Sequence, residues 1–111
     1  MRREILIVDD DKSVCESLSD LLQGKGYDVS VVTDPAAAIA AIDPLHTGLA
    51  LVDLRMPGIG GIELLQMTIS RQPDLPVVII TGFAIVDTAL TAMKYGAADV
   101  FTKSIKPRFP K

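Results

Sequence analysis

The sequence predicts an α/β fold in which a five-stranded parallel sheet carries helices on both faces. Two observations lead there. Five apolar runs of strand length alternate with four segments of helical period, and the first, third and fourth runs are almost continuously apolar. Strands that alternate with helices are joined by right-handed crossovers and so run parallel, and strands apolar along both faces are those covered on both sides.

The first strand is expected over residues 4–8 (EILIV). Val14, Leu18, Leu21 and Leu22 then fall at i, i+4, i+7 and i+8, one stripe of a helix that Gly24 or Gly26 stops. Asp11 reads as the cap of that helix. A second strand covers residues 28–32, after which Asp34 and Pro35 read as N-cap and first helical residue, opening a helix through Ile39 and Ile42. The third strand, residues 48–53, ends in Asp53. A glycine-rich stretch over residues 57–61 leads to a helix marked by Ile62, Leu65 and Ile69. The fourth strand, residues 77–81, precedes a helix marked by Val86, Leu90 and Met93 and ended by Gly96, and the fifth strand covers residues 99–102. With Pro107 and Pro110 among them, residues 104–111 cannot continue as a helix and read as a basic, disordered tail behind a folded unit of residues 1–103.

Composition narrows the function. A length of 111 residues is one domain, and 49% hydrophobic against 23% charged residues excludes intrinsic disorder. The single cysteine, Cys15, allows no internal disulfide and fits a reducing compartment, where it reads as a small buried hydrophobe. No apolar run approaches the roughly 20 residues of a membrane helix, and the start is too short for a signal peptide, so the expected setting is the cytoplasm with no membrane contact. All 14 acidic residues but only 7 of the 11 basic ones precede Lys103, so residues 1–102 carry −7 and the last nine +4. That balance argues against direct nucleic-acid binding by this segment. His46, far in sequence from the acidic clusters, reads as a solvated loop residue, and Phe101 as core filling.

In a doubly wound sheet, ligands bind beyond the carboxyl ends of the strands. Those ends read Asp9-Asp10-Asp11, Asp53, Thr81-Gly82 and, past the fifth strand, Lys103. Crowded carboxylates repel one another and call for a compensating cation, and an oxygen-only set suits a hard ion such as Mg2+. A carboxylate closing an apolar strand can act as a nucleophile toward phosphorus, with a lysine and a hydroxyl meeting the charge on the phosphoryl oxygens. Lys103 and Thr81 fit those two roles.

Residues 5–11 (ILIVDDD), 51–58 (LVDLRMPG), 79–82 (IITG) and 96–103 (GAADVFTK) resemble the receiver domains of two-component response regulators. The match extends to the spacings of 43 residues from Asp10 to Asp53, 28 from Asp53 to Thr81 and 22 from Thr81 to Lys103. The resemblance implies a flavodoxin-like sheet of order 2-1-3-4-5. It implies Asp53 as phosphoacceptor, Asp10 as a direct Mg2+ ligand, Asp9 as a ligand through water, and the Arg55 backbone carbonyl as a further ligand. By the same resemblance Thr81 and Lys103 bind phosphoryl oxygens, Gly82 leaves the phosphate accessible, and Arg55 and Phe83 tune its loss. The implied donor is a sensor histidine kinase, a phosphotransfer protein or acetyl phosphate. The implied product is a switch in residues 82–95 rather than an enzyme's turnover.

The sequence departs from the family pattern at three places. Val100 stands where an aromatic is usual, Ser104 follows Lys103 in place of proline, and the fifth helix is missing. A sheet face left bare by that helix, or the 85–103 region, is a candidate surface for homodimerisation. Two other readings stay open. One is a silent pseudo-receiver that only binds proteins. The other is an aspartyl-nucleophile phosphohydrolase, which normally has an acidic residue where this chain has Arg55.

Overall fold

A computed structural model describes residues 4–53, 60–81 and 86–102, without the side chains of residues 81–89 and 102. The elements are β1 (Glu4–Val8), α1 (Lys12–Gly24), β2 (Asp28–Val32), a 3-10 turn (Pro35–Ala37), α2 (Ala38–Ala41), β3 (Thr47–Asp53), α3 (Gly61–Arg71), β4 (Val77–Thr81), α4 (Val86–Lys94) and β5 (Asp99–Thr102). Every strand pair is parallel and the order is β2-β1-β3-β4-β5. The expected fold class and strand order therefore hold.

Period-two alternation divides the sheet into two faces. Leu6 and Val8 of β1, Ala50 and Val52 of β3, and Val77 and Ile79 of β4 are buried on one face with Ala38, Leu64, Leu65 and Ala92 from α2, α3 and α4. On the other face Ile5 and Ile7 pack with Cys15, Leu18 and Leu22 of α1. Cys15 is buried there, as its small apolar character predicts.

Helix ends follow the local chemistry. The Asp11 side chain accepts the Ser13 amide (2.9 Å) and the Val14 amide (3.4 Å), capping α1. That helix runs through Gly24, and the left-handed residue that turns the chain is Gly26, with φ of 93°. Gly96 plays the same part after α4, with φ of 105°; a β-carbon there would also meet Ile69 Cδ1 at 2.6 Å. A left-handed φ strains any residue that carries a β-carbon, and at Gly96 the tip of Ile69 would also have to move.

The structure corrects three expectations. Asp34 caps as predicted, accepting the Ala36 amide at 3.0 Å, but it opens a 3-10 turn followed by the four residues of α2, and Ile42 is already extended. Leu90 and Met93 do not mark the buried side of α4: both are exposed, and among the described side chains of that helix it is the small Ala92 that is packed inside. Phe101 is not core filling. It is 54% exposed, because it pairs in register with Ile80 on the face opposite Ile79 and Val100, and among the described residues only α1 packs on that face. The expected tail, residues 104–111, lies outside the described residues. Among the described residues no helix is long and apolar enough to cross a membrane.

Candidate functional site

Register builds the site. β1 and β3 are neighbours with Val8 opposite Val52, so Asp9 and Asp53, each one residue further on, reach the carboxyl edge at the same level. Asp53 pairs with Ile80 and Thr81 pairs with Thr102, which brings the ends of β4 and β5 to that edge as well. The chain turns from β1 into α1 within Asp9–Asp11, and this turn is held by its own polar groups. The Asp9 amide donates to the Val32 carbonyl at 3.1 Å, and the Asp11 amide donates to Asp9 Oδ1 at 2.9 Å.

The result is a carboxylate trio: ligand oxygens of Asp9, Asp10 and Asp53 all lie within 4.8 Å of one another. Asp9 and Asp53 are 3% and 6% exposed, while Asp10 faces solvent. Two unit negative charges at such a distance repel by about 3 kcal/mol at an effective dielectric near 20. An oxygen-only donor set with two buried carboxylates and an open side is matched to a hard divalent cation that keeps part of its water, which is the behaviour of Mg2+. Asp11, adjacent in sequence, is withdrawn from the trio by its capping bonds.

The structure thus brings together Asp9, Asp10 and Asp53 from among the predicted site residues, with the Thr81 backbone on the same rim. Arg55, Gly82, Phe83 and Lys103 lie outside the described residues. One contact escaped sequence reasoning. The Cys15 thiol donates to the Asp9 carbonyl at 3.3 Å. Its signal in the sequence was present, since Cys15 lies four residues after the capping Asp11 and so on the inner side of the first helical turn.

Comparison with known proteins agrees with this geometry. Residues 5–109 match the response regulator receiver domain family. The transcriptional regulatory protein FixJ of Azorhizobium caulinodans is 43% identical over 97 residues, which are 87% of this chain and 46% of that protein. The chain thus spans about half the length of the curated relatives it matches. A CheY-like receiver domain from Methanospirillum hungatei superposes with a TM-score of 0.86 at 30% identity, covering 97% of this chain and 86% of that one. A Burkholderia pseudomallei response regulator, solved with a phosphorylated aspartic acid, calcium ion and citrate, superposes with a TM-score of 0.83 at 26% identity, covering 93% and 61% of the two chains. Sheet order, the acidic rim and these matches agree, and the chain belongs to the response regulator receiver domain family.

Proposed function

We propose that this chain is a phosphoacceptor switch in which Asp53 takes a phosphoryl group in a Mg2+-dependent reaction. The observation that carries the reading is the convergence of Asp53 with Asp9 and Asp10 within 4.8 Å at the carboxyl edge of the sheet. Asp9, Asp10 and Asp53 would hold the cation, with the Arg55 carbonyl added by family resemblance. Its chemistry is to neutralise charge on the carboxylates and on the incoming phosphoryl oxygens.

The chain's own residues do the rest. A carboxylate oxygen of Asp53 forms a bond to phosphorus in line with the departing group; the bond from phosphorus to the donor's nitrogen or oxygen breaks, and the donor keeps the electron pair. Asp53 is nearly excluded from water and fixed at the end of a central strand, so orientation costs little when the donor docks. Thr81 and Lys103 are assigned to the phosphoryl oxygens, and residues 82–95 to the conformational response. Nothing is turned over, so the chain acts as a switch and not as an enzyme. The proposed donor is a sensor histidine kinase or phosphotransfer protein, and the proposed setting is the cytoplasm. The phosphorylated aspartic acid of the Burkholderia relative supports the chemistry.

Incubation with acetyl phosphate and Mg2+, followed by intact-mass and peptide analysis, should add one phosphoryl group at Asp53. Chelation of the metal or Asp53→Asn should abolish it. No adduct at saturating donor sinks the proposal in favour of a silent binding module, and steady phosphate release from a phosphomonoester sinks it in favour of a hydrolase.

A further inference from the structure

The Asp9–Asp11 turn carries two of the three clustered carboxylates, and besides the Asp11 cap a side chain of α1 ties the turn to the helix. Cys15 is 3% exposed and packs with Ile5 and Ile7 under α1. Its amide donates to the Asp11 carbonyl at 3.1 Å, closing the first helical turn, and its thiol donates to the Asp9 carbonyl at 3.3 Å. The first of these bonds is required by the helix; the second is not. It fixes the peptide group that joins Asp9 to Asp10, and rotation of that peptide swings the Asp10 carboxylate relative to Asp9 and Asp53.

We propose that Cys15 is a positioning residue for the acidic site, acting through the Asp9 carbonyl to hold the Asp9–Asp10 peptide against the repulsion of the three carboxylates. The proposal rests on the reading of those carboxylates as cation ligands. Without a cation their mutual repulsion pushes the exposed Asp10 outward, and a turn pinned from beneath keeps the ligand set assembled before the ion arrives. Pre-organisation of this kind appears as affinity, because less ordering remains to be done on binding. Partners that hold ligating groups are worth about 10–100-fold in metal affinity; a thiol is a weak donor, which sets this effect lower, at roughly threefold to tenfold.

A buried cysteine also fills space, so the test separates donor from volume. Cys15→Val keeps an apolar side chain of similar size without a donor, and Cys15→Ser keeps a donor. With the whole 111-residue chain, Mg2+ titrations followed by calorimetry should show the Val variant weakened by roughly threefold to tenfold and the Ser variant close to the parent protein. In metal-free protein, the Asp10 amide nitrogen resonance, which senses polarisation of the Asp9 carbonyl, should move in Cys15→Val and return in Cys15→Ser. Cys15→Ala carries the same comparison if the Val variant does not fold. A Val variant that keeps parental affinity and the parental Asp10 resonance overturns the proposal, as does a Ser variant that loses as much as Val. A parent protein that binds no Mg2+ removes the cation reading and with it the role assigned to Cys15. The Asp10 resonance then still shows whether the thiol holds the turn, so the two failures are told apart.

Discussion

The Asp43 carboxylate sits in the turn before β3, where it accepts the Leu45 amide at 2.9 Å and lies 2.6 Å from His46 Nδ1. The hydrogen bond from His46, followed by that from the Leu45 amide, holds the Asp43 carboxyl below the ordinary aspartate range. A carboxyl whose pKa is depressed in the folded state stabilises the fold above its unfolded value, and that contribution disappears as the pH falls through the folded value. Both side chains are well exposed, so salt screens the effect. Carboxyl NMR titration should find Asp43 titrating low in the parent protein and closer to the ordinary value in His46→Ala. The same low value in both would assign the shift to the backbone amides of Leu45 and His46. His46 was legible in the sequence as a solvated loop residue, and it is one, but its partner was not. A contact across three residues depends on the turn, and the turn depends on the Thr47 hydroxyl that accepts the Asp43 amide at 2.9 Å.

Elements were legible in proportion to how much of their pattern is local. β1, β2, β4 and β5 stand where their apolar runs put them, and β3 begins one residue earlier, at Thr47. Asp11 and Asp34 cap as predicted because a cap is decided within three residues. α2 was overread: an alanine-rich stretch has helical propensity, but here only the four residues Ala38–Ala41 are α-helical. The stripe of α4 was misjudged because large apolar residues dominate a periodic pattern, whereas among its described side chains Leu90 and Met93 are exposed and the small Ala92 is buried. Phe101 shows the same limit at a strand. Its burial is set by what covers the sheet rather than by its own hydrophobicity. Covered and uncovered positions of the sheet therefore respond differently to truncation. Ile79 is fully buried, and Ile79→Ala should cost about 2–5 kcal/mol in urea denaturation. Phe101→Ala should cost less than about 1 kcal/mol, as at other exposed positions. Equal losses at the two positions would mean that Phe101 is packed as firmly as Ile79.

At the scale of the whole molecule, the site exists because sequence-distant strands are spatial neighbours. The sequence located the strand ends and the acidic residues on them, but the 4.8 Å convergence follows from β3 lying beside β1 with Val52 level with Val8. Concentrating carboxylates at the topological switch of the sheet stores repulsion in the metal-free fold. Stability and function then oppose each other at Asp53. Asp53→Asn removes a nearly buried negative charge, so in EDTA the variant should melt above the parent protein. Mg2+ should reverse the order. A ligand present at 100 times its Kd stabilises by about 2.7 kcal/mol, which for a domain near this size raises Tm by roughly 10 °C or more. The parent protein should gain that increment and Asp53→Asn only a small part of it, so the two melting curves exchange places across a Mg2+ titration. A variant that melts below the parent in EDTA and gains the same increment from Mg2+ would show that Asp53 neither stores the repulsion nor binds the ion. The crossing, read in a single calorimetric series, tests both halves of the argument without requiring phosphorylation.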